Sequence, residues 1–355
     1  MAYTTIDLPT EYFNTTAYTG DGVVGRNLTT GIFQPDWVWI KSRSDADNHR
    51  LVDAVRGATK HLESDNDTAE QTSSNVTAFT PTGITLSSNG AVNANTETYV
   101  AWAWLGANST ASNTDGSITS TVSANTTSGF SIVSYTGNGT DNDTATIGHG
   151  LGVAPNFIIT KCRSEAGGWI SSSTSLGWNN VVSLNTTDAS SAGTQAFGVT
   201  GVTPSSITFT VSANSGGNHT NINNATYIAY CFAEKKGFSK FGSYTGNNSN
   251  DGPFLYMGFK PAFVLIKATN TTQWWTLLDN KRDTYNVATL GISPNSSNSE
   301  STFNTDRGPH NMDFVSNGLK IRTDNSGING TNSFIYMAFA ENPFVTSTSI
   351  PTTAR

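Results

Sequence analysis

This sequence carries little charge. Asp, Glu, Lys and Arg make up 13% of its 355 residues, and the formal net charge is −7. That is about half the usual charged share. No basic stripe interrupts the balance, which argues against electrostatic capture of nucleic acid or anionic lipid. Cysteine is nearly absent, with only Cys162 and Cys231. Both fall in apolar, strand-like runs, where a cysteine serves as a small buried hydrophobe; a single disulfide is the other reading. The five histidines (His49, His61, His149, His219, His310) are scattered, and no pair has metal-ligand spacing on a short segment. No apolar run approaches the roughly 20 residues of a membrane helix, so no membrane insertion is expected. The opening Met1-Ala2-Tyr3-Thr4-Thr5-Ile6-Asp7 has neither the charged nor the apolar region of a signal peptide. A chain made in a cytoplasm, leaving by lysis or by assembly into a particle, is the expectation. The many Asn-x-Ser/Thr triplets then follow from composition, not from glycosylation.

Thr, Ser, Asn and Gly take the place of charge. They make a surface that meets water through neutral hydrogen-bonding groups, which suits β-rich extracellular or virion proteins better than cytosolic enzymes. Hydrophobic residues at 36% and aromatics at 10% supply enough material for real cores.

The chain repeats itself. Tyr-Thr-Gly occurs at Tyr18-Thr19-Gly20, Tyr135-Thr136-Gly137 and Tyr244-Thr245-Gly246. Each is followed by a turn-rich stretch, a proline (Pro35, Pro155, Pro261) and, six residues on, a lysine (Lys41, Lys161, Lys267). Eight residues past the lysine stand His49, Trp169 and Trp275; twelve past it stand Asp53, Ser173 and Asp279. Copies 1 and 3 share Asp-x-x-Arg, as Asp53 with Arg56 and Asp279 with Arg282. Each copy closes on an aromatic-rich strand: Tyr99 to Trp104, Tyr227 to Phe232, and Tyr336 to Ala340. That alignment matches Cys162 with Ser42 and Ala268, and Cys231 with Ala103 and Ala340. A period of roughly 110 residues is that of small independent domains, not of a solenoid.

Apolar positions alternate with period two, in runs rich in Val, Ile, Thr and aromatics bounded by Gly, Asn and Pro. The run after each proline is apolar on both sides, as a strand covered on both faces would be. No stretch carries a convincing amphipathic helix; residues 48–62 come nearest. The expected fold is all-β, with three tandem antiparallel β-sandwich, jelly-roll-like domains of one repeated type. Residues 1–12 form an N-terminal segment, read as an attachment peptide. Residues 13–106, 130–236 and 237–344 are the three repeats, and 345–355 a C-terminal tail. Residues 107–129, rich in Ser, Thr, Asn and Ala, read as a flexible or extended linker in which 117–122 could add a strand. Copies 2 and 3 meet with little slack and are expected to pack rigidly.

Candidate chemistry is thin. Asp53 with Arg56, and Asp279 with Arg282, read as structural ion pairs, since copy 2 has Ser173 and Leu176 there. The three lysines read as strand ends with stems on the core and heads in water. Trp169, Trp274 and Trp275 are candidates for stacking on sugar rings. Paired carboxylates for glycoside hydrolysis cannot be assigned. Asp141-Asn142-Asp143 lacks the spacing of a calcium loop, and no phosphate loop, nucleophile elbow or zinc-protease motif occurs. No catalytic residue, cofactor or metal is expected.

The motifs Tyr3-Thr4-Thr5-Ile6-Asp7, Tyr18-Thr19-Gly20, Pro35-Asp36-Trp37-Val38-Trp39-Ile40-Lys41, Arg56-Gly57-Ala58-Thr59-Lys60 and Ala338-Phe339-Ala340-Glu341-Asn342-Pro343-Phe344 resemble those of repeat-bearing virion proteins of marine bacteriophages, described as tail-fibre-like or lectin-like. The resemblance covers nearly the whole chain. It implies a virion location and no known chemistry. The partners expected are other virion proteins, a homo-oligomer with a trimer favoured, and a host cell-surface glycan. A tail-fibre or appendage component that binds the host is the first reading. A capsid decoration protein is the second, and a polysaccharide-degrading enzyme the third.

Overall fold

The run after each repeated proline divides its side chains between two interiors. In Trp37–Ser42, Trp37 and Trp39 turn to one side and Val38 and Ile40 to the other. Phe157 and Ile159 oppose Ile158 in copy 2, as Phe263 and Leu265 oppose Val264 and Ile266 in copy 3. Strict alternation on a strand buried on both faces produces this split.

A computed structural model describes residues 3–139, 144–192, 196–197, 202–213 and 220–352. It is all-β, built of several antiparallel sheets. One strand order recurs in the three large sheets. In copy 1 it runs Phe13–Thr19, Thr98–Trp104, Trp37–Ser42, Arg50–Asp53. Copy 2 has Phe130–Thr136, Thr226–Phe232, Phe157–Cys162, Trp169–Ser173, and copy 3 Ser239–Thr245, Ser333–Pro343, Phe259–Ala268, Thr276–Asp279. A small sheet packs on one face of each, for instance Arg26–Thr29, Gly83–Leu86 and Val76–Thr80 in copy 1.

The opposite faces of all three large sheets converge on one shared core. It takes Trp37, Trp39, Trp102 and Trp104 from copy 1, Phe157, Trp169, Tyr230 and Phe232 from copy 2, and Phe263, Trp275, Met337 and Phe339 from copy 3. Rings stack across the copies: Trp37 on Tyr230 at 4.3 Å, Phe13 on Phe339 at 5.1 Å. The copies are therefore not independent units, because their largest side chains lie in the common interior.

The repeated Tyr-Thr-Gly has a physical reason. Each tyrosine lies against an aromatic of the closing strand (Tyr99, Tyr227, Phe334). Its hydroxyl donates to a carbonyl, that of Val92, Thr220 or Ile328, at 2.6–2.7 Å. A Cβ at Gly20, Gly137 or Gly246 would meet a backbone oxygen at 2.0–2.2 Å, so only glycine lets the chain pass.

Several expectations are corrected. Residues 107–129 are not a free linker, since Ala111–Asn113 and Ser120–Asn125 extend the large sheet of copy 2, with Ile118 and Val122 reaching its core. The N-terminal segment, described from Tyr3, is packed into the body: Ile6 is 2% exposed within the shared core. Tyr3 donates to the Gly258 carbonyl at 2.8 Å, and the Asp7 carboxylate accepts from the Ser347 backbone at 2.6 Å. Residues 48–62 hold two strands, Arg50–Asp53 and Lys60–Leu62. A helix does form at Glu300–Arg307, where Ser299 accepts from the Thr302 amide and Gly308 ends it at φ 75°, the start and stop signals helices use. In the closing strand of copy 3 the register sets Phe339 against Phe263 as Trp104 is set against Trp37. The counterpart of Cys231 is therefore Ala338, not Ala340.

Candidate functional site

The three copies hold one another in cyclic order. Trp169 of copy 2 donates its indole N–H to the Glu63 carbonyl of copy 1 at 2.7 Å. Trp275 of copy 3 does the same to Ser183 of copy 2 at 2.9 Å. The ring closes through His49 of copy 1, whose Nε2 lies 3.0 Å from the Ser293 carbonyl of copy 3. Trp39 donates to the other ring nitrogen, Nδ1, at 2.8 Å. That donor leaves Nδ1 as the acceptor and places the proton on Nε2. Burial first, and then the Lys41 charge, holds His49 well below the usual imidazole range. His49 is smaller than the tryptophans in its place, and its partner Trp39 is larger than Ile159 and Leu265, which stand at that position in the other copies.

Two of the three seams carry a buried ionic network. At the first, Arg56 donates to Asp53 and to the Leu51 carbonyl at 2.8 Å, and Tyr230 of copy 2 donates to Asp53 at 2.8 Å. Glu70 accepts from Arg56 and, with both oxygens at 2.9 and 3.0 Å, from Arg163 of copy 2. The seam between copies 3 and 1 repeats this with Asp279, Arg282, Glu300 and Arg43, and Trp102 takes the place of Tyr230. Burial pushes Glu70 and Glu300 up, but the arginines outweigh it and hold both carboxyls below their usual range. The remaining seam has Ser173, Leu176, Ser190, Thr269 and Met337 at these positions; there the Ser190 amide and hydroxyl both donate to Thr269 at 2.7 Å. The Asp–Arg pairs are thus seam residues. Glu70, Glu300, Arg43 and Arg163 are the partners that sequence reasoning missed, because they lie outside the short motif.

The repeated lysines differ from expectation. Their heads are not in water: all three residues are 0% exposed. Lys161 donates to the carbonyls of Asp67 and Cys162, and Lys267 to those of Thr187 and Gln273, at 2.9–3.2 Å. Lys41 donates to Ser42 and Asp45. Burial pulls each down to about 8, against weaker support from nearby groups. Cys162 and Cys231 are free and buried, and burial pushes the Cys231 thiol up.

Trp169 and Trp275 are 0% and 1% exposed, so neither offers a ring face to a sugar. Trp274 is half-buried, lines a cleft of about 170 Å³ and carries the Arg307 guanidinium over its ring at 4.3 Å. A larger groove of about 750 Å³ lies in copy 3. Lys260 and Lys281 flank Glu341 there at 2.8 and 3.6 Å, and Tyr285, 82% exposed, stands at its margin. Among the described residues no group of His, Cys, Asp and Glu is placed to hold a metal, and no helix is long and apolar enough to cross a membrane. Asp141-Asn142-Asp143 and His219 lie outside the described residues.

Fold and site together define an all-β chain whose three large sheets close around a common aromatic core. Residues 8–343 match the model of a domain of unknown function (DUF7483), and the chain belongs to that family. No curated protein and no solved structure matches it.

Proposed function

We propose that this chain is a non-enzymatic bacteriophage virion protein exposed on the particle, a tail-fibre or appendage component that binds the host surface. It is read as three sandwich units of one repeated type. The observation that carries the reading is the cyclic closure of the three copies. The networks that join them pair buried Asp53, Arg56, Asp279 and Arg282 with one another and with Glu70 and Glu300, and the chain as a whole carries little charge, which suits contact rather than catalysis. Its partners are other virion proteins and a host cell-surface glycan. A homotrimer would have to use the outer surfaces of the ring, because the seam faces are already occupied within one chain.

The test is the copy number and position of the chain on purified particles, by quantitative mass spectrometry and antibody-labelled electron microscopy. Tens of copies at the tail or on projecting fibres support the reading. Hundreds over the shell make it a capsid decoration protein. Absence from particles overturns both.

A further inference from the structure

We infer that the groove of copy 3 is a binding site for a neutral oligosaccharide. The inference rests on the host-binding reading only for the source of the glycan; the groove's chemistry stands by itself. Its volume of about 750 Å³ falls within the range of small-ligand clefts.

The repeat supplies an internal control. The tyrosine, glycine, proline and lysine anchors that recur in all three copies serve the scaffold. Three residues at the groove do not recur. Lys260 stands where copies 1 and 2 have Gln34 and Ala154, and Lys281 where they have Val55 and Ser175. Tyr285 stands where they have Thr59 and Asn179. Copies 1 and 2 keep the same strand order without two lysines and an exposed tyrosine here, so these residues are particular to the groove of copy 3.

The chemistry suits an uncharged sugar. A pyranose has hydroxyls that both donate and accept, and an apolar face made of C–H groups. The groove supplies donors in Lys260 and Lys281 and acceptors in Glu341 and Asp283. The two charge signs balance, so an anionic sugar gains nothing over a neutral one. Asn280, 8% exposed, lines the groove and holds its side-chain oxygen without a partner among the described residues, which fits an acceptor for a ligand hydroxyl. The free Tyr285 ring offers the stacking face.

The purified full-length chain would be screened by saturation-transfer NMR. The panel would hold neutral hexose and N-acetylhexosamine di- and trisaccharides, with sialylated and sulfated counterparts. Binding of neutral members, weakened at least tenfold by Tyr285→Ala and by Lys281→Ala and unchanged by Trp274→Ala, is the expected result. Both altered side chains are at least 40% exposed, so the variants keep the fold; circular dichroism would check this. No binding by any member, tighter binding of the acidic counterparts, or binding insensitive to both variants overturns the proposal. Absence of the chain from particles would overturn the virion reading while leaving this result in place. Inhibition of adsorption by the soluble sugar would identify the host surface as its source.

Discussion

His49 shows how one position can carry both a packing role and a pH response. Its folded-state pKa lies below the 6.5 of a free imidazole. As pH falls below 6.5 the unfolded chain takes up the proton first, and stability drains away until the folded-state value is reached. A proton on Nδ1 would also set two N–H groups, those of His49 and Trp39, against each other. Asp65, raised to about 6 by burial, acts in the opposite sense between 6 and its ordinary 3.8, so the His49 part must be isolated by a variant. Trp39→Ile with His49→Trp imports the pair copy 2 uses. The double variant should unfold within about 1.5 kcal/mol of the parent at pH 7.5, whereas His49→Trp alone should cost about 1–3 kcal/mol by overpacking. Urea melts at pH 7.5 and 5.5 would show a smaller acid loss in the double variant. An unchanged acid loss would remove His49 as the sensor.

Elements add what single residues cannot. At the first seam, Arg56→Ala leaves Asp53 buried and unpaired, an expected cost of about 3–5 kcal/mol. Replacing Asp53, Arg56, Glu70, Arg163 and Tyr230 together by Ser, Leu, Ser, Thr and Met copies the seam that lacks this network, and should cost less than the single change, since buried ion networks often exchange with apolar packing at no loss. Denaturant midpoints would rank the two. The N-terminal segment behaves as a structural plug, so Ile6→Ala should destabilise by about 2–5 kcal/mol, and full stability after deletion of residues 1–12 would contradict that role. The strands after each proline were legible in sequence because alternation and repetition both marked them. The Glu300–Arg307 helix was not, because only its Ser299 and Gly308 ends carry helical signals while Phe303 is its one buried hydrophobe. The Glu70–Arg163 and Glu300–Arg43 pairs were illegible, because each joins residues from different copies. Two of the three tryptophans marked for stacking are seam donors, a distinction that composition cannot draw.

The whole molecule unfolds as its core dictates. Large aromatics bury about 150–250 Å² each, and at about 25 cal/mol per Å² each contributes up to roughly 4–6 kcal/mol. A fragment holding one copy keeps its small-sheet interior and exposes the face bearing the rings. Residues 107–236 expressed alone should therefore aggregate or bind a hydrophobic dye, and the full chain should melt in one calorimetric transition. Three resolved transitions would mean that the copies fold separately after all.

A ring of identical subunits must repeat every seam, so a change to one is suffered three times over. In this chain the same ring is written once along a single backbone, and each substitution is felt at one seam only. That freedom explains how one joint can do without the buried Asp–Arg–Glu–Arg network while its two neighbours keep theirs. It also makes the joint that lacks the network the place where this architecture can drift furthest without losing its closure.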